Sequence, residues 1–205
     1  MIKRIALYIS LLLLTSLAAS AAESAADVIK KASDLLSASS GTTASFRMAS
    51  DADGSMPGTI AMSGTKFNVA TTQNTTIFDG ATQWTIDPQT MEVSIYDPTP
   101  EELQQINPLG FIKSAAQNFT PKLVSSAGGN IRVQLTPKIK DSQIKKATIT
   151  FSAATGLPSS IAMTLYDGTS LNIAISNLKL NQHIPSSKFK VGTKDYPGYD
   201  FVDLR

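Results

Sequence analysis

Much of the chain alternates apolar and polar residues with a period of two. Nine such runs lie between residues 46 and 175, and their polar positions are mostly Ser, Thr, Asn or Gln, which is typical of half-buried antiparallel strands. The Asp79-Gly80 and Asp167-Gly168 pairs lie between runs, where we predict type I′ hairpin turns. The pattern therefore predicts an antiparallel meander of about nine to eleven strands. The apolar positions of the runs are Phe46 and Met48; Ile60 and Met62; Phe67 and Val69; Trp84 and Ile86; Met91, Val93 and Ile95; Ile131, Val133 and Leu135; Ala147, Ile149 and Phe151; Ile161, Met163 and Leu165; and Leu171, Ile173 and Ile175.

Other segments have helical periodicity. Glu23–Ala38 repeats apolar residues at helical spacing and predicts an amphipathic helix, with Ser24 as its cap. A second helix is predicted to start at Thr99-Pro100, where a cap precedes a proline and a glutamate follows three residues after the cap. Asn107-Pro108 ends it and starts another. The predicted apolar face of this third helix comprises Leu109, Ile112, Ala116 and Phe119, widened by Phe111 and Ala115.

A sheet of this many strands must curl, and its apolar face needs a cover. The amphipathic helices are the available cover. We therefore predict a mainly β fold with α-helices, in which two or three helices lie on one face of the sheet. The space beneath them is either a packed core or a cavity, and the pattern alone favours the packed core.

The first 21 residues have the pattern of a secretory signal peptide. Lys3 and Arg4 precede an apolar run from Ile5 to Leu17, and Ala19-Ser20-Ala21 is a small-residue cleavage site. The apolar run is shorter than the ~20 residues that span a bilayer. We predict export followed by cleavage, which leaves residues 22–205 as a single domain, soluble and, in a Gram-negative bacterium, periplasmic.

Composition then excludes several classes of chemistry. The chain has 18 Lys and Arg against 16 Asp and Glu, and the two basic residues of the predicted signal peptide account for the excess. No basic run is dense enough to predict nucleic-acid binding. The absence of Cys excludes thiolate metal sites and cysteine nucleophiles, and the single His183 excludes a histidine cluster. We predict neither a metal site nor a cofactor, and no enzymatic activity.

Several segments, in order along the chain, resemble the LolA family of periplasmic outer-membrane lipoprotein carriers. The most distinctive is Asp79-Gly80 followed by Trp84, Ile86 and Pro88. The remaining segments are Ser45-Phe46-Arg47, Gly58-Thr59-Ile60, the strand at Phe67, Asn107-Pro108-Leu109 and Lys188-Phe189-Lys190.

The resemblance implies an open, unclosed antiparallel β-barrel with a helical lid. It also implies a function without covalent chemistry: a cavity takes up lipoprotein acyl chains from an inner-membrane ABC transporter complex and passes them to an outer-membrane acceptor. We expect such a carrier to be a monomer. The residues that the resemblance places around the acyl chains are Phe46, Ile60, Phe67, Val69 and Trp84 from the sheet, and Leu109, Phe111 and Ile112 from the lid.

One segment departs from the family pattern. Proteobacterial carriers have an Arg-Pro pair shortly after the strand equivalent to Gly58–Met62, and that arginine holds the lid by hydrogen bonds. Here Ser63–Phe67 contains neither residue, and Lys66 lacks the planar fork of donors that arginine offers.

The alternative function is a module of the same fold that senses lipids or lipoproteins and regulates a membrane partner.

Overall fold

The structure, a computed structural model, describes residues 23–51, 54–140 and 142–205. The predicted signal peptide, residues 1–21, lies outside the described residues. Within them the chain forms twelve strands, three α-helices and one short 3₁₀ helix. The strands are β1 (Thr42–Ser50), β2 (Gly54–Ser63), β3 (Lys66–Thr71), β4 (Thr75–Phe78), β5 (Gln83–Asp87), β6 (Glu92–Tyr96), β7 (Phe119–Ala127), β8 (Asn130–Pro137), β9 (Ile144–Ser152), β10 (Pro158–Leu165), β11 (Ser170–Lys179) and β12 (Asp200–Asp203). The helices are α1 (Ala25–Ala38), α2 (Pro100–Ile106), α3 (Pro108–Asn118) and the 3₁₀ helix Ser186–Phe189.

All twelve strands belong to one sheet, in the order β12-β6-β5-β4-β3-β2-β1-β11-β10-β9-β8-β7. Neighbouring strands are antiparallel except β12, which runs parallel to β6. The two edge strands, β12 and β7, are not paired with each other, so the barrel is not closed. The predicted fold, an open antiparallel β-barrel covered by helices, is confirmed.

Three of the twelve strands are absent from the alternating runs. β4 has three consecutive buried residues, β7 is mostly exposed and contains Pro121, and β12 is only four residues long. A strand that is covered on both faces, or on neither, has no period-two pattern. The predicted range of nine to eleven strands was therefore too low.

The predicted hairpin turns also need correction. A type I′ turn requires positive φ at both central residues. Gly80 and Gly168 have φ of 106° and 94°, but neither aspartate has a positive φ. Instead, the Asp79 carboxylate accepts hydrogen bonds from the backbone N–H groups of Ala81 and Thr82, at 3.0 and 2.9 Å.

The helix starts follow the predicted capping chemistry. The Ser24 hydroxyl accepts a hydrogen bond from the Asp27 backbone N–H at the start of α1. At the start of α2, Thr99 and Glu102 form a reciprocal capping box. These hydrogen bonds from Thr99 lower the pKa of the Glu102 carboxyl group.

Helices α1 and α3 pack against each other on one face of the sheet, which we call the inner face. The predicted face of α3 needs two changes: Ala116 is exposed, and the helix ends at Asn118, before Phe119. Ala115, in the widened part of the predicted face, is buried. Side chains from both helices and from β1–β3 and β8–β11 form one continuous core there. Its most completely buried large residues are Phe67, Phe111, Phe151, Ile29, Leu36, Leu109, Ile112, Leu135, Ile149 and Ile161.

A second, smaller cluster covers the opposite, outer face. Ile77 and Phe78 are consecutive on β4, so their side chains point to opposite faces. Phe78 belongs to the inner core, whereas Ile77 packs with Ile86 and Val93 under residues 180–205, which we call the C-terminal segment. The C-terminal segment contributes Val191, Tyr196, Tyr199 and Phe201. The last residues therefore stabilise the β4–β6 end of the sheet.

Gly58 allows an aromatic ring to cross β2. Gly58 pairs with Phe46 on β1, and a Cβ at position 58 would lie 2.2 Å from Cζ of Phe46. The buried Phe46 ring therefore occupies the space that a side chain would need.

We predict that Gly58→Val displaces the Phe46 ring and lowers the free energy of unfolding by about 1–3 kcal/mol, as overpacking in a core does. Urea denaturation measures the change. Thr59→Val is the matched control, since Thr59 is the exposed neighbour on the same strand. Equal unfolding midpoints for the two variants would contradict the proposed role of the glycine.

Candidate functional site

The structure brings seven of the eight predicted site residues together. The sheet residues among them are Phe46, Ile60, Phe67 and Val69, and the helix residues are Leu109, Phe111 and Ile112. All seven are buried in the inner core, and the three helix residues are completely inaccessible. The helix side chains thus fill the space along the inner face of the sheet.

Trp84 lies elsewhere. It pairs with Ile77 across β4 and β5 and packs in the outer cluster, beside the C-terminal segment. Trp84 is therefore separated from the other seven residues by the thickness of the sheet.

An open cleft of about 540 Å³ lies between the helices and the ends of the β2–β3 and β4–β5 hairpins. This volume is within the range of small-molecule sites. The apolar side chains that line it are Met62, Phe67, Phe78 and Leu103. The Phe67 and Phe78 rings pack with centroids 5.4 Å apart. The cleft thus offers an apolar surface that is continuous with the inner core.

The cleft also has a polar margin. It is formed by Ser33 and Ser37 of α1, Thr65 of the β2–β3 turn, and Ser114 and Gln117 of α3. In the part of the chain that the structure describes, no three His, Asp or Glu residues are grouped to hold a metal ion. The arrangement suits an apolar chain with a polar end.

Lys113 of α3 bridges this cleft. Its Nζ donates a hydrogen bond of 3.0 Å to the carbonyl oxygen of Gly64, in the β2–β3 turn. Partial burial lowers the pKa of the Lys113 ammonium group. On the other side, the Ser33 hydroxyl donates to the Lys113 carbonyl oxygen at 2.9 Å. Residue 113 therefore connects α3 to both α1 and the sheet.

Asn107 fixes the junction between α2 and α3, which together we call the lid. Its backbone N–H donates to the Leu103 carbonyl oxygen at the end of α2, and its side-chain oxygen accepts from the Gly110 N–H at 2.8 Å. The buried side-chain nitrogen lies 3.3 Å from the sulfur of Met62 on β2. This residue ends one helix, starts the next, and anchors both to the sheet.

These contacts show how the lid is attached to the sheet in the absence of the Arg-Pro pair. Lys66 is exposed. Lys113, on helix α3 of the lid, instead connects the lid to the β2–β3 turn. Sequence reasoning missed it, although Lys113 is the single charged residue of α3 and follows Ile112 directly.

We predict that Lys113→Met loosens the lid while the fold is retained. The variant loses one hydrogen bond, worth about 0.5–1.5 kcal/mol, and keeps most of the apolar stem. Amide hydrogen exchange across α3 should therefore accelerate several-fold. Lys122→Met removes an exposed lysine from edge strand β7 and serves as the control. Equal exchange across α3 in both variants would argue against the bridge.

Several solved structures are similar to this chain over most of its length. An uncharacterised conserved protein from Thermus thermophilus is 11% identical, with a TM-score of 0.59 over 86% of this chain and 97% of that one. A DUF1329 family protein from Desulfovibrio piger is 11% identical, with a TM-score of 0.51 over 81% and 95%. A LolA superfamily protein from Nitrosomonas europaea is 11% identical, with a TM-score of 0.47 over 82% and 98%.

No curated protein matches the chain in sequence. The family model described as outer membrane lipoprotein carrier protein LolA does match it, over residues 14–168. The match covers more than half of the chain and includes the lid, the cleft and strands β1–β10. The chain therefore belongs to the LolA family of outer membrane lipoprotein carrier proteins.

Proposed function

We propose that this protein is a periplasmic carrier that shields the acyl chains of lipoproteins between the inner face of its sheet and its lid. Family membership and the resemblance of its motifs support this proposal. The observation that carries it is the open cleft, whose apolar surface continues into the core beneath the lid. Burial of acyl carbons is favourable by ~0.8 kcal/mol per CH₂, so an apolar surface suffices and no covalent chemistry is needed.

Entry of a chain requires rearrangement of the lid. Leu109, Phe111 and Ile112 fill the inner face, so the acyl chain would enter at the cleft and displace them outward. The lid side chains and the acyl chain would therefore compete for one apolar surface. The Lys113 bridge to Gly64 lies where the lid would separate from the sheet.

The proposal extends to location and partners. Residues 22–205 would act as a single, monomeric domain after removal of residues 1–21. The carrier would receive lipoproteins from an inner-membrane ABC transporter complex and deliver them to an outer-membrane acceptor. Among the described residues, no helix is both long and apolar enough to cross a bilayer.

We predict that Gln117→Trp, at the margin of the cleft, weakens binding of a fluorescent fatty acid by about tenfold or more. An indole that excludes two methylene groups would remove ~1.6 kcal/mol of burial, and tenfold corresponds to 1.4 kcal/mol. Ala116→Trp is the matched control, because Ala116 is exposed on the same helix and does not line the cleft. Fluorescence titration measures both variants.

Two results would refute the carrier proposal. One is the absence of both lipid in the native protein, by mass spectrometry, and fatty-acid binding in solution. The other is equal weakening by the two tryptophan variants, which would place binding outside the cleft. Capture of a transmembrane protein without lipid transfer would favour the sensing module instead.

A further inference from the structure

Charged residues are segregated along the sheet. Residues 67–112, which form most of β3, then β4–β6 and most of the lid, contain six acidic residues and no basic ones. Residues 113–166, which include β7–β10, contain seven basic residues and one acidic residue, Asp141. The sheet order places the strands of these two groups at opposite ends of the sheet, although Lys113 lies on α3 and contacts the β2–β3 turn. An anionic surface would therefore attract one end of the molecule and repel the other.

Four of these seven basic residues gather at one rim of the sheet. They lie in the loop between β8 and β9 and at the start of β9, and the turn between β10 and β11 lies next to them. The Tyr166 backbone N–H donates to the Gln143 carbonyl oxygen at 3.0 Å and so joins that turn to the loop. We call this surface the lysine rim, and its residues are Lys138, Ile139, Lys140, Lys145, Lys146 and Tyr166.

Two large apolar side chains project from the lysine rim. Ile139 is 58% exposed and Tyr166 is 65% exposed. The four lysines are exposed as well, and none of them has an acidic partner within 4.0 Å among the described residues. Asp167 is the acidic residue of the neighbouring turn, and its carboxylate accepts the Thr169 backbone N–H. Single exposed apolar residues are common, but here two of them lie among four exposed lysines.

We propose that the lysine rim docks onto the surface of an anionic phospholipid bilayer. Lysine ammonium groups contact lipid phosphates, while Ile139 and Tyr166 enter the headgroup region, where tyrosine is favoured. Charge complementarity identifies the occupant: each lysine near an anionic membrane adds attraction, and the acidic β4–β6 end stays turned away. None of the six rim residues lines the cleft, so docking does not depend on the proposed acyl binding.

The neighbouring edge strand β7 does not favour a protein partner that adds a strand. It also exposes apolar residues, Leu123 and Val124. However, β7 contains Pro121 and Lys122, and its register shifts between Leu123 and Ser125. Proline, lysine and a bulge each hinder pairing of an edge strand with another chain. The exposed rim, rather than the exposed edge, is therefore the docking surface.

Vesicle co-sedimentation of the mature chain tests the proposal. We expect binding to vesicles of phosphatidylglycerol and phosphatidylcholine, weaker binding at high salt, and little binding to phosphatidylcholine alone. The K140Q/K145Q/K146Q variant should bind the anionic vesicles at least tenfold more weakly. Lys138 is left unchanged, since its Nζ donates to the Ala116 and Gln117 carbonyl oxygens at the end of α3.

The matched control is K188Q/K190Q/K194Q, which removes the same charge from exposed positions of the C-terminal segment. It should bind as the unaltered chain does. Equal losses in the two triple variants would show that net charge alone acts, and absence of binding to anionic vesicles would also overturn the proposal. Retention on an immobilised acidic protein together with indifference to vesicles would assign the rim to a protein partner and overturn it.

The apolar component has its own test. Ile139→Ser should weaken vesicle binding several-fold without changing net charge, and it serves as the test if the triple variant fails to fold. No effect of Ile139→Ser would overturn insertion at the headgroup level. Fatty-acid binding is measured on the same variants and should be unchanged, so that failure of docking and failure of the carrier proposal are distinguishable.

Discussion

An unclosed sheet with an apolar inner face cannot bury that face by itself. Twelve strands curl without pairing β7 to β12, so the cover must come from the helices α1 and α3. The side chains that cover this face are therefore the ones that stabilise the fold. Under the proposed function, stability of the empty protein and affinity for a lipid would draw on the same contacts, and the polar bridges at the lid margin would decide how readily one replaces the other.

Most of the fold could be predicted from alternation and capping. The nine runs became strands, and Ser24, Thr99 and Asn107 cap helices as expected. Alternation could not predict strands whose two faces have the same environment, such as the buried β4 and the mostly exposed β7. The pairing of β12 with β6 cannot be predicted from local sequence either, since it joins residues more than a hundred positions apart.

The candidate site was predictable only in part. Alternation identifies an apolar face of a strand but not the side of the sheet on which that face lies. In β5 and β6 the apolar residues Trp84, Ile86 and Val93 lie on the outer face. The resemblance places Trp84 among the residues around the acyl chains, whereas in the structure it lies on the outer face, beside the C-terminal segment. Lys113 could not be paired with Gly64 from sequence, because their contact depends on how the helix lies across the hairpin.

The acceptor of the Lys113 hydrogen bond is a main-chain oxygen, which every amino acid possesses. Substitution of the turn residue need not remove it, provided that the hairpin keeps its shape. A donor on the helix can therefore hold the lid at the hairpin without any contribution from a side chain of the turn. The attachment depends on the side chain at position 113 and on the shape of the hairpin, so the residue types of the turn do not record it.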